Sequence, residues 1–283
     1  MAETATSPAP AGPAEASAEG APPPPAAVPP APLVAGAAAP TAPAAVAGAA
    51  APANGRKPPS ASKRRASRRR TGRKLFQFDR RLGVRYVAGA DEAGRGCLAG
   101  PLAAAAVLFD LHALGVREVR ALSALNDSKQ HTAEARELLY PVVMRTAMKV
   151  CVVSRCAPAL DERGLHRTNL QALSDALRRV TAGQRPGEVL CLVDGFRVPD
   201  VGHEQRAIVD GDATSAAIAA ASIIAKVSRD RFMHRADARH PGWDFAAHVG
   251  YSTPEHRDAI QRIGVSPLHR MSFQSTAYQQ LAL

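Results

Sequence analysis

Four carboxylates stand out because each follows, or closely trails, a short apolar run. Asp91 and Glu92 follow Tyr86–Ala90 (YVAGA), Asp194 follows Val189–Val193 (VLCLV), and Asp212 lies just beyond a run ending at Val209. Acids at the ends of neighbouring strands can converge at one edge of a sheet. Unpaired, such a group repels itself, and some members take up protons. A hard divalent cation resolves the conflict, and oxygen donors without nearby His or Cys suit Mg²⁺ or Mn²⁺ better than zinc. Two such ions about 3.5–4 Å apart can activate water and stabilise a leaving oxygen in phosphodiester cleavage. The spacing also admits a plainer reading, in which acids at strand ends begin turns or cap helices. Asp212 would then cap a helix starting near Ser215.

The first acidic pair continues into Gly94-Arg95-Gly96. Glycines on both sides of an arginine let backbone approach a substrate closely and present N–H donors. Alone, the tripeptide would read as an ordinary tight turn; behind an acidic pair at a strand end, it marks a binding loop.

These residues need a scaffold to bring them together. Tyr86–Ala90 and Leu102–Leu108 read as adjacent strands joined by a Gly/Pro-rich turn. Lys149–Val153, Val189–Val193 and Gln205–Val209 read as further strands. Helical spacing appears over Thr132–Met148, Asp161–Thr181, Ser215–Ala238 and Pro254–Ile263, with Trp243–Ser252 loop-like. The stripe Leu165, Leu170, Leu173, Leu177 is expected to face a core. Early hairpin strands followed by crossovers imply an α/β domain around a mixed sheet flanked by helices, with a C-terminal helical segment.

Composition divides the 283 residues into three stretches. Residues 1–55 are almost entirely Ala, Pro, Gly, Ser, Thr and Val, with no aromatic residue and a single Leu33. Too little apolar surface is available to offset the entropy of ordering, so a disordered tail is expected. Residues 56–74 carry ten Lys/Arg and no acid, a basic linker. Residues 75–283 form the expected catalytic domain, with 26 Lys/Arg against 22 Asp/Glu, so most of the net +11 charge sits in the arm. Such an arm favours a polyanion, with affinity that falls steeply with salt; incidental basic residues on a solubilising tail are the plainer alternative. Cys97, Cys151, Cys156 and Cys191 show no zinc-ligand spacing and fit reduced thiols in a cytoplasmic protein. Neither a membrane span nor a signal peptide is expected.

Several ordered motifs resemble ribonuclease HII of the bacterial type, in the ribonuclease H-like superfamily. They are Gly89-Ala90-Asp91-Glu92-Ala93-Gly94-Arg95-Gly96 with Leu98-Ala99-Gly100-Pro101, then Asn126-Asp127-Ser128-Lys129, Val193-Asp194-Gly195 and Gly211-Asp212. Ala220–Val227 with Arg229-Asp230, Gly250-Tyr251 and His269-Arg270 complete the series. The resemblance spans roughly residues 85–275 and implies a ribonuclease H-like fold. It also implies an Mg²⁺- or Mn²⁺-dependent endonuclease acting on RNA–DNA hybrids and on ribonucleotides embedded in duplex DNA. Asp91, Glu92, Asp194 and Asp212 would be the metal-binding catalytic acids. Gly94, Arg95 and Gly96 would read the ribose 2′-hydroxyl, Tyr251 would stack on the sugar of the next deoxynucleotide, and Lys129 and Lys226 would hold phosphates. The plainer readings make Tyr251 a core aromatic and Lys226 an exposed helix residue.

Three positions depart from the family pattern. Cys97 replaces a proline, Val249 stands where lysine is frequent, and Asp210 adds an acid where lysine is common. The last two bear on substrate affinity rather than on the reaction. Rival readings are a ribonuclease HIII-like hybrid nuclease and a non-catalytic nucleic-acid binder on the same fold. The final Gln279-Gln280-Leu281-Ala282-Leu283 resembles a linear motif that docks on the replication sliding clamp, without its usual last aromatic, so a weak contact is expected. A monomer is expected otherwise.

Overall fold

The computed structural model describes residues 72–125, 131–273 and 278. The Ala/Pro-rich stretch, most of the basic linker, Asn126–Lys129 and the C-terminal Gln-Leu-Ala-Leu peptide lie outside the described residues.

Five strands form one mixed sheet: β1 (Tyr86–Ala93), β2 (Leu102–Asp110), β3 (Lys149–Arg155), β4 (Val189–Asp194) and β5 (Glu204–Ile208), in the spatial order β3-β2-β1-β4-β5. β1, β2 and β3 pair antiparallel, whereas β4 lies parallel to both β1 and β5. Helices cover both faces: α1 (residues 72–80), α2 (Val116–Ala121), α3 (Ala133–Thr146), α4 (Ala157–Arg163), α5 (Leu165–Thr181), α6 (Ala216–Arg239), α7 (Phe245–His248) and α8 (Pro254–Ile263). This is the mixed sheet flanked by helices that the sequence predicts, a ribonuclease H-like arrangement. None of the described helices is long and apolar enough to cross a membrane.

Period-2 alternation sorts the central strands. Val87, Ala105, Val107, Leu190 and Leu192 pack with α6, while Ala88, Ala90, Ala106, Cys191 and Val193 pack with Leu173 and Leu177 of α5. Ala216–Ala225, the start of α6, is almost entirely Ala and Ile and is buried. It lies so close to β1 that a Cβ on Gly89 would sit 2.1 Å from the Ala217 carbonyl carbon. Gly89 therefore sets the distance between the sheet and the helix that carries Ser222 and Lys226.

Three expectations and one alternative reading need correction. β1 runs on to Ala93, so Asp91 and Glu92 are inside the strand rather than after it. The pairing with β2 sustains it, because Asp91 and Glu92 stand opposite Ala105 and Ala104. The helix expected over Asp161–Thr181 is two helices, broken at Gly164, whose φ of 80° ends one and begins the next. The Trp243–Ser252 loop contains the short helix α7. Finally, Asp212 does not cap the long helix: the Ser215 side chain does, accepting from the Ile218 N–H at 3.3 Å.

A second acceptor at that helix start comes from far away in sequence. Asp79 of α1 is buried and accepts from the Ala217 N–H at 3.0 Å. Burial pushes its carboxyl from an ordinary 3.8 up to about 7, against the lowering effect of Ser215 and the helix N–H groups. The folded protein holds this proton more tightly than the unfolded chain. Its stabilising effect is therefore complete below pH 4 and lost as pH rises towards 7. Asp79→Asn keeps an acceptor and removes the titration. Between pH 5 and pH 8 the melting temperature of Asp79→Asn should gain on that of the unsubstituted protein; a constant difference across that range would contradict a buried, proton-retaining Asp79.

Candidate active site

The carboxylates converge because β1 and β4 are parallel neighbours. Ala90 pairs with Val193, which brings the next residues, Asp91 and Asp194, to the same level. Both share the strand face that packs on α6, by alternation with Val87 and Gly89 and with Leu190 and Leu192. Glu92 points to the opposite face. Asp212 sits in a 3-10 turn, Gly211–Ala213, tied to Asp194 by a 2.7 Å hydrogen bond from the Gly211 N–H to Oδ1. No side chain is accommodated at Gly211: a Cβ there would meet Ile218 at 2.5 Å and Asp194 Oδ1 at 3.1 Å.

The electrostatics are unbalanced. Asp91 is only 7% exposed and accepts from the Glu92 N–H at 2.7 Å. Burial, and then the charges of Glu92 and Asp194, hold its carboxyl well above the usual range, although the Ser222 hydroxyl and the Glu92 N–H oppose the shift. A positive ion would relieve that strain, and an all-oxygen donor set suits a hard one. Among the described residues no three His, Cys, Asp or Glu side chains form a closed metal cage. Glu92 leans towards Arg95 at 3.6 Å, and a backbone N–H engages one oxygen each of Asp91 and Asp194.

A cleft of about 250 Å³ collects most of the expected site residues. Asp91, Glu92, Gly94, Arg95, Gly96, Asp194, Lys226 and Tyr251 all line it. Asp212 is buried and does not. Lys129 lies outside the described residues.

The two glycines of the loop differ. Gly94 has φ of 88°, and a Cβ would fall 2.0 Å from Arg229 Nε, whereas Gly96 faces open space with nothing within 4 Å. Gly94→Ala should destabilise the protein by about 1–3 kcal/mol. Gly96→Ala should leave stability within about 0.5 kcal/mol, because it touches nothing. If a ligand approaches the backbone at Gly96, the second variant nonetheless loses turnover. Wild-type cleavage by Gly96→Ala would show that no ligand comes close there.

Tyr251 is 42% exposed, not a core aromatic. Lys226 Nζ lies 5.2 Å from its ring centroid, and the Arg229 guanidinium carbon 6.0 Å. Lys226 is half-buried at the cleft rim, paired with Asp230 at 2.8 Å, rather than a free surface residue. Cys97 is buried, and burial pushes its thiol up.

Sequence reasoning passed over several contributors. Arg136 of α3 lines the cleft and approaches Asp230 at 3.7 Å, so one carboxylate serves two rim cations. Ser222, on the buried side of α6, faces Asp91. Phe196, just after Asp194-Gly195, is 43% exposed, with the Arg95 guanidinium 5.3 Å from its centroid and His166 edge-on at 5.4 Å. Two buried arginines organise the loops with no carboxylate partner among the described residues. Arg229 donates to the carbonyls of Pro101 (2.9 Å), Val249 (2.8 Å) and Ala99 (3.0 Å). Arg270 donates twice to Gly100 and once to Arg95. Desolvation lowers the Arg270 guanidinium to about 10, which leaves it charged at neutral pH. The one available signal for these residues was their place inside quoted motifs; a cation bound by carbonyls leaves no charge pattern.

Comparison with known proteins gives one family. The ribonuclease HII family model matches residues 88–276. A ribonuclease HII of Mycobacterium avium is 48% identical over 195 residues, covering 68% of this chain and 80% of the relative. Among solved structures, the PCNA:RNase HII complex from Archaeoglobus fulgidus aligns with a TM-score of 0.54 at 26% identity, over 65% of this chain and 92% of that one. Bst-RNase HIII in complex with Mn²⁺ aligns with a TM-score of 0.57 at 19% identity, over 72% of each chain, and so shares the fold.

Proposed function

Because the chain belongs to the ribonuclease HII family and is thus an enzyme of the ribonuclease H type, we propose that it hydrolyses the RNA strand of RNA–DNA hybrids and cuts 5′ to ribonucleotides embedded in duplex DNA, leaving 5′-phosphate and 3′-hydroxyl ends. The observation that carries this reading is the single cleft in which Asp91, Glu92 and Asp194 meet the Gly94-Arg95-Gly96 loop and Tyr251.

Asp91, Glu92, Asp194 and Asp212 would hold divalent ions, Mg²⁺ or Mn²⁺ and two of them with substrate, which supply activation of water and stabilisation of the leaving oxygen. A solved ribonuclease HIII of the same fold was obtained with Mn²⁺. The chain's own groups do the rest. Glu92, which now approaches Arg95 at 3.6 Å, would be one of the residues holding the ion, and the Arg95 guanidinium would then face the nucleic acid. Gly94 and Gly96 let the backbone come up to the ribose, whose 2′-hydroxyl is the direct mark of RNA. Lys226 and Arg136, aligned by Asp230, hold phosphate oxygens, and Lys129 adds a further cation. Tyr251 stacks on the following deoxyribose. A purely binding role would need none of the four acids in this arrangement.

The test compares three duplexes with and without Mg²⁺ or Mn²⁺: one with a single ribonucleotide, a full hybrid, and all DNA. Metal-dependent cutting of the first two alone supports the reading. Cutting of the hybrid only would favour a different substrate preference, and no metal-dependent cutting of either would reject it.

We place the enzyme in the cytoplasm as a monomer, with a weak sliding-clamp contact through Gln279–Leu283; the archaeal relative was solved with PCNA. Burying a leucine is worth about 1.5–3 kcal/mol before ordering costs. Titrating clamp against the full chain and a chain lacking residues 279–283 decides it: equal binding, or none, rejects the contact.

A further inference from the structure

We propose that His256, with His269 behind it and His248 beside it, is the positioning residue for Tyr251. The inference rests on the reading of Tyr251 as the sensor of the deoxynucleotide after the cut.

Three histidines are buried beneath the Tyr251 loop. Their hydrogen bonds allow one consistent set of tautomers. The Ser266 N–H donates to His269 Nδ1 at 2.8 Å, so His269 carries its proton on Nε2. A longer 3.3 Å approach of the Ser266 carbonyl to the same nitrogen is incompatible with that shorter bond and gives way to it. His269 Nε2 therefore donates to His256 Nε2 at 3.1 Å. His256 is left with its proton on Nδ1, which donates to the Tyr251 carbonyl at 2.8 Å. His248 works in parallel. Its Nδ1 accepts from the Gly250 N–H at 3.1 Å, and its Nε2 donates to the Trp243 carbonyl at 2.6 Å. The rings of His248 and His256 stack with centroids 4.1 Å apart.

The loop is thereby held from below at two atoms, the Gly250 N–H and the Tyr251 carbonyl. From the other side the Gly250 carbonyl accepts from the Leu98 N–H at 2.9 Å, and Arg229 takes the Val249 carbonyl. The loop needs such anchoring, because Val249 sits at φ 43°, a left-handed conformation that a β-branched residue adopts only under constraint. Gly250, at φ 83°, lies so close to the segment behind the binding loop that a Cβ there would meet the Ala99 carbonyl oxygen at 2.3 Å. Burial keeps His256 and His269 neutral, each at about 4, as the relay requires. Tyr251 alone reaches the cleft; the histidines reach only its backbone.

Two amide substitutions separate this role from packing. Asn places its N–H₂ near the Nδ1 position of histidine, whereas the Gln amide ends near Nε2, where its carbonyl oxygen accepts from His269 Nε2–H. His256→Asn keeps the bond to the Tyr251 carbonyl; His256→Gln keeps the bond to His269 and loses the one to Tyr251. The measurement is the ratio of kcat/KM on a single-ribonucleotide duplex to that on a long hybrid, beside Tyr251→Ala. Emission from Trp243, the sole tryptophan, which stacks in the same cluster, confirms that each variant is folded. The ratio should fall roughly tenfold in His256→Gln and in Tyr251→Ala, and stay at the wild-type value in His256→Asn. Equal ratios in the two His256 variants, while Tyr251→Ala shifts it, would overturn the relay and leave the Tyr251 reading intact. An unshifted ratio in Tyr251→Ala would instead sink the Tyr251 reading. The relay is then judged by amide exchange at Gly250 and Tyr251: faster exchange in His256→Gln than in His256→Asn supports it, and equal exchange overturns it.

Discussion

Asp91→Asn and Asp194→Asn are each expected to slow cleavage by roughly a hundredfold or more, while duplex binding persists. The two acids sit side by side, Asp91 inside β1 and Asp194 at the end of β4, and burial with the charges of Glu92 and Asp194 raises the Asp91 carboxyl well above the usual range. That crowding has no structural benefit in the resting protein, so removing one charge should not weaken the fold. Asparagine fits the same space, and the Glu92 and Gly211 N–H groups retain an oxygen acceptor. Losing a negative charge beside a phosphate does not reduce the attraction of the rim cations. Unchanged melting with lost turnover is the expected pair of results; near-normal turnover by either folded variant under saturating Mg²⁺ would remove these acids from the chemistry.

Arg229→Met is expected to lower the melting temperature on the order of 10 °C. Arg229 is 1% exposed and holds three carbonyls, on the segment behind the glycine loop and on Val249 before Tyr251. Each buried acceptor left without a donor costs about 1–3 kcal/mol, and one kcal/mol moves a domain of this size by about 2–4 °C. Methionine preserves much of the volume, so the loss reports the hydrogen bonds. The segment behind the Gly94-Arg95-Gly96 loop and the Val249–Tyr251 loop would separate together, and activity should fall even at temperatures where the variant is folded. A melting temperature unchanged by Arg229→Met would mean that the carbonyls find other partners.

The gathering of the candidate residues was legible in the sequence because acids, glycines and apolar runs each carry a local signal. Asp91 and Asp194 stand side by side on neighbouring strands, as the spacing of YVAGA and VLCLV implies. The strand boundary was not legible: Asp91 and Glu92 look like the end of a run, yet β2 continues to pair with them through small alanines. Gly164 read as one more helix residue, because nothing in the spacing announces a φ of 80°. The plainer reading of Asp212 as the cap is met by another residue, because the Ser215 side chain caps α6. The buried polar framework was least legible. Arg229, Arg270 and the three histidines bond to backbone carbonyls and amides that are distant in sequence, and no periodicity marks such contacts. The deep capping by Asp79 is of the same kind, spanning from α1 to α6.

The most direct measurement of the central claim is single-turnover cleavage of one duplex in two forms that differ by a single atom. One carries a ribonucleotide at a defined position, and the other the matching 2′-deoxynucleotide, with Mg²⁺ saturating in both. The account predicts a cut on the 5′ side of the ribonucleotide, with a 5′-phosphate on the downstream fragment, and no cut in the deoxy duplex although it binds. Equal cutting of both duplexes, or a cut whose position ignores the 2′-hydroxyl, would contradict it.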